Sequence, residues 1–150
     1  MSNTLIIRPI KPEDFPEWMT LWEGYNLFYG RSQLPTEITQ MTWSRFFDPT
    51  EPVHALVAEK NKKLLGLAHY LYHRSTIQIE LSCYLQDLFT SETARNQGIG
   101  QKLIEAVYEQ ARIAASPRVY WLTKEDNLIA RNLYDKIAKR SGFISYYKKI

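Results

Sequence analysis

Residues 87–104 run Asp87-Leu88-Phe89-Thr90-Ser91-Glu92-Thr93-Ala94-Arg95-Asn96-Gln97-Gly98-Ile99-Gly100-Gln101-Lys102-Leu103-Ile104. They read as the end of a strand, a glycine-containing loop and the opening of an amphipathic helix. A helix start leaves its first backbone N–H groups without intrahelical partners and carries partial positive charge, so a phosphate or pyrophosphate is stabilised there. Gly98 and Gly100 lack a Cβ, which lets the backbone approach a ligand closely. Arg95 adds a guanidinium suited to forked, charge-assisted contacts. The stretch therefore predicts a cradle for a phosphorylated cofactor.

Spacing excludes two better-known phosphate loops. A Walker-type loop needs Gly-x4-Gly-Lys followed by Ser or Thr, whereas Lys102 lies two residues after Gly100 with Leu103 behind it. The dinucleotide fingerprint needs a third glycine where Leu103 stands. What remains is Arg-x-x-Gly-x-Gly between an apolar strand and a helix.

Composition bounds the class. A chain of 150 residues with 45% hydrophobic and 13% aromatic residues is expected to form one domain with a sizeable core. The formal charge of +3 is mild, and the basic residues are scattered apart from Lys60-Asn61-Lys62-Lys63 and Lys148-Lys149. No basic stripe with interleaved aromatics marks a nucleic-acid surface. A single cysteine, Cys83, rules out an intrachain disulfide and a cysteine-rich metal site, and no metal is expected. A reducing, cytoplasmic setting follows as the default. The apolar run Leu5-Ile6-Ile7 stops at Arg8-Pro9, so neither a signal peptide nor a membrane span is read.

The elements alternate along the chain. Residues 4–8 read as a short strand. A helix follows, with Asp14 and Glu17 as a capping box and Phe15, Trp18, Trp22, Tyr25 and Tyr29 as one aromatic stripe. Gly30 stops it, and a second helix runs from Pro35 to Asp48-Pro49. Residues 53–59 and 64–73 form a hairpin across the lysine-rich turn, and 76–89 contain a long strand. A helix over 98–114, a strand over 118–122, a helix over 127–140 and a final strand over 143–149 complete the pattern. This predicts an α/β unit with a mixed central sheet of about six to seven strands and helices on both faces.

The motif and the order of elements together resemble the GNAT superfamily of N-acetyltransferases, whose signature for acetyl-coenzyme A is Gln/Arg-x-x-Gly-x-Gly/Ala. The resemblance covers essentially the whole chain. A second block supports it: 119–123, Glu125-Asp126-Asn127, Ala130, Leu133-Tyr134 and Ser141-Gly142-Phe143. Leu21-Trp22, Tyr25, Phe28-Tyr29 and 45–49 look like a branch of small histone-acetyltransferase-like members, which acetylate polyamines, basic protein tails or D-amino acids. The resemblance implies acetyl-CoA as cofactor, held by the backbone of Leu88, Phe89 and Thr90, by Arg95, Asn96, Gln97, Gly98, Ile99 and Gly100, and by Gln101, Lys102, Asn127 and Tyr134.

Amine acetylation makes three demands: the ammonium loses a proton, the oxyanion is stabilised, and the departing thiolate takes up a proton. The resemblance assigns Tyr134 as the general acid and a backbone amide at Phe89, with Leu88, to the oxyanion. It also sets Asn127 on the pantetheine arm, although Asn127 equally suits a helix N-cap. Related enzymes often carry Glu-Asp where this chain has Gln86-Asp87. Gln86 cannot act as a base, and successive strand residues face opposite sides, so Asp87 does not simply replace it. Glu80, Glu23, Glu37, Glu51, His54, His69 and His73 are other candidates, and the base stays unassigned. Cys83 raises an acetyl-cysteine route, but a buried small hydrophobe is the alternative, and direct transfer in a ternary complex is the expectation.

For the acceptor, Trp22, Tyr25, Tyr29 and Glu23 are expected to bind a cationic amine, with Trp18, Glu37, Asp48 and Glu51 in the same segment. A small-molecule amine, either a polyamine or an amino acid, comes first and a basic protein tail second. A non-catalytic acyl-CoA sensor would keep the cradle but have no need of Tyr134. The apolar run 143–147 points to a homodimer.

Overall fold

The computed structural model describes residues 3–150. Its centre is an antiparallel meander. Strand β2 (Val53–Lys60) turns into β3 (Lys63–His73) through Asn61 and Lys62, both at positive φ (53° and 61°), as a two-residue hairpin turn requires. β1 (Ile6–Pro9) pairs with β2, and β4 (Ser82–Thr90) pairs with β3, all antiparallel. Helix α1 (Phe15–Phe28) and helix α2 (Thr36–Arg45) lie between β1 and β2 in sequence. Helix α3 (Ile99–Ile113) follows β4, then β5 (Val119–Tyr120), which pairs parallel to β4, and helix α4 (Leu128–Ile137). The sheet order is β1-β2-β3-β4-β5.

The mixed α/β architecture matches expectation, but among the described residues the sheet has five strands rather than six or seven. One expected strand is missing, which lowers the count, and two others are shorter than expected. The strand expected over 76–89 starts only at Ser82. Before it, Ser75 accepts from the Ile77 N–H, and Gln78 donates to the Glu80 carbonyl and to Ser82. Such local bonds offer the backbone an alternative to the ladder. The strand expected over 118–122 pairs only at Val119 and Tyr120. The segment 143–149 forms no strand, and every residue in it is exposed. The last helix is also shorter than 127–140, ending at Ile137, where the Tyr108 hydroxyl donates to the terminal carbonyl at 3.1 Å.

The capping box read at Asp14 and Glu17 does not form. Asp14 instead accepts both guanidinium nitrogens of Arg8, at 2.7 and 2.9 Å, and the Lys11 N–H. Glu17 reaches across to accept the Leu64 N–H at 2.8 Å. Arg8 also bonds Glu59, tying β1, the start of α1 and β2 together. That use of the two acids is tertiary and leaves no local trace.

Both sheet faces are covered. On one, Leu103, Ile104, Val107 and Ala111 of α3 pack on Leu56, Ala58, Ala68, Cys83 and Leu85. Gly66 permits this approach: a Cβ there would stand 3.0 Å from the Phe89 carbonyl oxygen and 3.1 Å from Leu103. On the other face, Trp18, Leu21, Trp22 and Tyr25 of α1 pack on Val57, Leu64 and Leu67. Spacing at three and four residues is what lays this α1 stripe on the sheet. Among the described residues no helix is long and apolar enough to cross a membrane.

Burial gives the fold a pH signature. It pushes the Cys83 thiol up from 9.0 to about 12, and the Tyr72 and Tyr134 hydroxyls from 10.0 to about 12. The unfolded chain releases these protons first, so the folded state binds more protons and stability falls as pH rises from about 9 to about 12. The melting temperature is expected to hold below pH 9 and then decline. Cys83→Ala should delay that onset by about one pH unit, because the tyrosines begin only at 10 when unfolded. A wild-type melting temperature unchanged from pH 9 to 11 would contradict this.

Candidate active site

The site begins with an irregularity in β4. Leu85 faces Tyr70 and Asp87 faces His69, so Gln86 is an extra residue with no partner on β3. A β-bulge of this kind bends the strand and re-aims side chains. Gln86 and Asp87 therefore line one cavity together, although strict alternation would separate them.

Asp87 is buried, and its Oδ2 lies 2.9 Å from His69 Nδ1. The Trp18 indole N–H donates to His69 Nε2 at 3.0 Å. An indole nitrogen can only donate, so Nε2 accepts and Nδ1 carries the hydrogen given to Asp87. The ring is locked in one tautomer, and one carboxylate oxygen is committed to it. Tyr25 approaches the same carboxylate, and burial followed by the Asp87 charge raises its hydroxyl well above the ordinary tyrosine range.

The cavity measures about 440 Å³, which suits a small ligand. Its floor is Trp22, Tyr25, His69, Tyr84, Gln86 and Asp87; its other charged walls are Arg31 and Arg45. The Arg31 guanidinium is held over the Tyr25 and Tyr29 rings at 5.5 and 5.3 Å, and its Nε donates to Asn26. Arg31 has no carboxylate partner among the described residues, and Arg45 reaches Glu51 only at 3.9 Å.

The expected acceptor residues divide. Trp22 and Tyr25 line this cavity, whereas Tyr29 lines the neighbouring crevice. Glu23 is exposed and lines neither, being off the aromatic stripe of α1. Glu37, Asp48 and Glu51 are likewise absent from the walls, and Glu80 sits in the loop before β4. His54 stacks on Tyr70, and His73 bonds the Tyr120 hydroxyl at 2.7 Å. Of the three histidines only His69 meets Asp87. The sequence reading missed Arg31 and Arg45 because a cavity wall assembled from a loop and a helix end has no local signature.

A second, narrower crevice opens where β4 and β5 part. Their pairing ends at Tyr84 and Tyr120. Beyond that point Tyr29, Leu85, Leu88, Trp121, Leu122 and Tyr134 line the gap, with Tyr25 and Gln86 common to both spaces. The Ser91 N–H donates to the Leu65 carbonyl at 2.8 Å, and the register places Thr90 opposite Gly66 and Phe89 opposite Leu67. Bonding direction alternates along a strand, so the Phe89 amide turns toward β3. The Leu88 and Thr90 amides face the gap, which corrects the expectation for Phe89. Burial holds the Tyr134 hydroxyl up at about 12, and its ring meets Trp121 edge-on. Asn127 caps α4, accepting the Ala130 N–H at 3.4 Å. Cys83 lies in the core as a thiol pushed up to about 12, away from either space.

The segment expected to form the cradle follows directly after. Gly98 takes φ 75° as the N-cap of α3, no side chain caps the helix, and its first ladder bond runs only from the Lys102 N–H to the Gly98 carbonyl. The amides of Ile99, Gly100 and Gln101 are thus left as donors. Arg95 bonds the Thr90 carbonyl at 3.3 Å and covers the Phe89 ring. The bare side of Gly100 keeps open the space between Thr90 and Leu133.

The sequence from residue 15 to 138 matches the Acetyltransferase (GNAT) family, a span that reaches from α1 through α4. The chain belongs to the GNAT acetyltransferase family. Among its relatives, the D-amino-acid N-acetyltransferase HPA3 of Saccharomyces cerevisiae is 34% identical over 148 residues, 97% of this chain and 91% of the relative. The GNAT fold also aligns with a solved probable acetyltransferase at a TM-score of 0.85, with 23% identity and 97% of both chains covered. The aminoglycoside N-acetyltransferase AAC(6')-Iy in complex with CoA aligns at 0.84, with 14% identity, covering 99% of this chain and 97% of that one. As a GNAT member the chain is an acetyltransferase enzyme, and the split of β4 from β5 beside an uncapped α3 is where this member departs from a plain sheet.

Proposed function

We propose that this enzyme moves an acetyl group from acetyl-coenzyme A to the amino group of a free amino acid. The observation that carries the acceptor class is the cavity lining: one buried carboxylate, Asp87, and two guanidiniums, Arg31 and Arg45. An amino acid presents an ammonium to the first and a carboxylate to the others. A polyamine brings only cations and would meet two arginines, at a cost of like-charge contact in a partly desolvated site. A lysine-rich tail meets the same obstacle. The name of the yeast relative supports the class and extends it to D-amino acids.

The residues fit the cofactor. The free amides of α3 and Arg95 suit its pyrophosphate, and the open edge of β4 at Leu88 and Thr90 suits an amide-bearing arm laid along it as an added strand. When bound, acetyl-coenzyme A supplies an acyl group activated as a thioester. Asp87, held by His69 and close to Tyr25, accepts the ammonium proton. The Leu88 N–H offers a donor to negative charge that develops on the acyl oxygen. Tyr134, protonated throughout the neutral range, holds a proton for the departing sulfur. Gln86 and Tyr25 stand where the acceptor cavity meets the crevice, so transfer is direct between two bound substrates.

The test is thiol release from acetyl-coenzyme A against D- and L-amino acids, their carboxamides, polyamines and histone-tail peptides. Amino acids are expected to turn over. Arg31→Met should raise their KM about 10- to 100-fold, the value of a charged hydrogen bond, with kcat little changed. Carboxamides should show that loss in the wild type and little further loss in the variant. Polyamines turning over as well as amino acids, or carboxamides matching the free acids, would sink the assignment.

A further inference from the structure

His69 lines the acceptor cavity, yet both of its ring nitrogens are spent on the protein. The residue is 3% exposed, and aromatic rings confine the imidazole: Phe46 at 4.7 Å, Trp22 at 5.4 Å and Trp18 at 6.0 Å between centroids. Trp18, itself fully buried, gives its one N–H to Nε2. A general base needs a lone pair within reach of the proton it takes, and the lone pair of this ring points at an indole. His69 is therefore placed to hold something rather than to react.

What it holds is Asp87. The Nδ1 hydrogen goes to Oδ2 at 2.9 Å, which leaves Oδ1 as the oxygen for an ammonium. Tyr25 also approaches this carboxylate, but an ionised carboxylate has about four lone-pair sites, so room for an ammonium hydrogen remains. The terminal torsion of an aspartate is broad and roughly two-fold, so without a fixed donor the two oxygens would tilt and exchange. A neutral imidazole has two tautomers, and the one with its hydrogen on Nε2 would turn a lone pair toward the carboxylate. Trp18 excludes that tautomer, because it would set two N–H groups against each other. An indole from α1 thus selects the state of an imidazole on β3, which fixes a carboxylate on β4.

We propose that His69 and Trp18 are positioning residues for acetyl transfer: the indole sets the imidazole tautomer, and the imidazole turns Asp87 so that Oδ1 meets the acceptor amine. The inference rests on Asp87 as the base. In the step it serves, an N–H bond of the ammonium breaks as an O–H bond forms at Oδ1, and the electron pair left on nitrogen attacks the thioester carbonyl carbon. His69 keeps its hydrogen throughout. Its Nε2 is occupied by a group that can only donate, so the ring cannot pass a proton onward, and the proton on Asp87 leaves through the cavity.

Thiol release from acetyl-coenzyme A is measured with each D- and L-amino acid that the wild type acetylates, beside melting curves. His69→Leu should lower kcat about 10- to 100-fold, the scale of an ångström-sized misplacement, with the KM for acetyl-coenzyme A unchanged. His69→Asn restores an amide N–H at about the place of Nδ1 and should recover most of that loss, although it packs worse than leucine. Added to Asp87→Asn, His69→Leu should cost no further kcat, as expected when one residue acts through the other. If the leucine variant does not fold, NMR of the ring nitrogens in the intact enzyme takes its place: a single species with Nδ1 protonated and Nε2 bare, joined by the second tautomer in Trp18→Phe. Wild-type kcat in His69→Leu, no recovery in His69→Asn, a further loss on top of Asp87→Asn, or an Nε2-protonated ring in the wild type would each overturn the proposal while leaving the base in place. Failure of the base is a different result, a loss under tenfold in Asp87→Asn alone, and the inference falls with it.

Discussion

Asp87→Asn should lower kcat on the acceptor amino acid about 10²- to 10⁴-fold, the range of a lost general base. Asparagine keeps the shape and still accepts the His69 hydrogen bond through its carbonyl, so the 2.9 Å contact and the fold survive. What it cannot do is take a proton. The loss should therefore fall on kcat, with the affinity for acetyl-coenzyme A unchanged, because no cradle residue is touched. A rise of pH would rescue part of the activity, as more acceptor arrives already deprotonated. Steady-state kinetics across pH 6–10, beside a melting curve, measure all of this. A loss under tenfold, or one matched by a collapse in melting temperature, would remove Asp87 from the base role and return it to a structural one.

The second large effect is on stability. Trp18 is fully buried, stacks on Trp22 at 5.6 Å, contacts Trp43 at 4.9 Å and Phe46 at 5.7 Å, and donates to His69. Trp18→Ala removes a fully buried indole between α1 and the sheet, at about 3–5 kcal/mol. It also leaves His69 Nε2 buried without its donor, about 1–3 kcal/mol more. At about 2–4 °C per kcal/mol for a chain of this size, the melting temperature should drop by about 8–32 °C. Trp18→Phe separates the two causes, since it keeps much of the packing but not the N–H. It should cost less stability than alanine while loosening the His69 ring, and with it Asp87. A fall below about 5 °C for Trp18→Ala would contradict this, being less than about 3 kcal/mol of lost packing requires.

The two substitutions meet at one feature, a chain of contacts from α1 through β3 to β4. Trp18 appeared in the sequence as a member of an aromatic stripe, His69 as one histidine among three, and Asp87 as an acid on the wrong strand face. Nothing in those three positions, 18, 69 and 87, links them locally. The bulge at Gln86 supplies the link by placing Asp87 on the α1 face and opposite His69. A bulge costs one residue of register and leaves no composition signal, which is why strict alternation misassigned the face.

Other departures have the same origin. Glu23 carries the right charge for an amine but sits off the stripe, whereas Arg31, outside the helix and beyond Gly30, turns back over Tyr25 and Tyr29. Asp14 and Glu17 had the spacing of a cap and were taken by Arg8 and by the Leu64 amide. The run 143–149 had the residues of a strand, but a strand exists only where an edge receives it, and its own sheet does not.

The sequence alone determined the hairpin, the four helices, the start of α3 at Gly98 and the family, because these rest on period and turn chemistry, set by residues close in the chain. The tertiary structure alone decided which acid lines the cavity, which arginines join it, which amide of β4 is free and where the last segment goes. Each of those depends on how one element's register or end meets another, and no local spacing encodes that meeting.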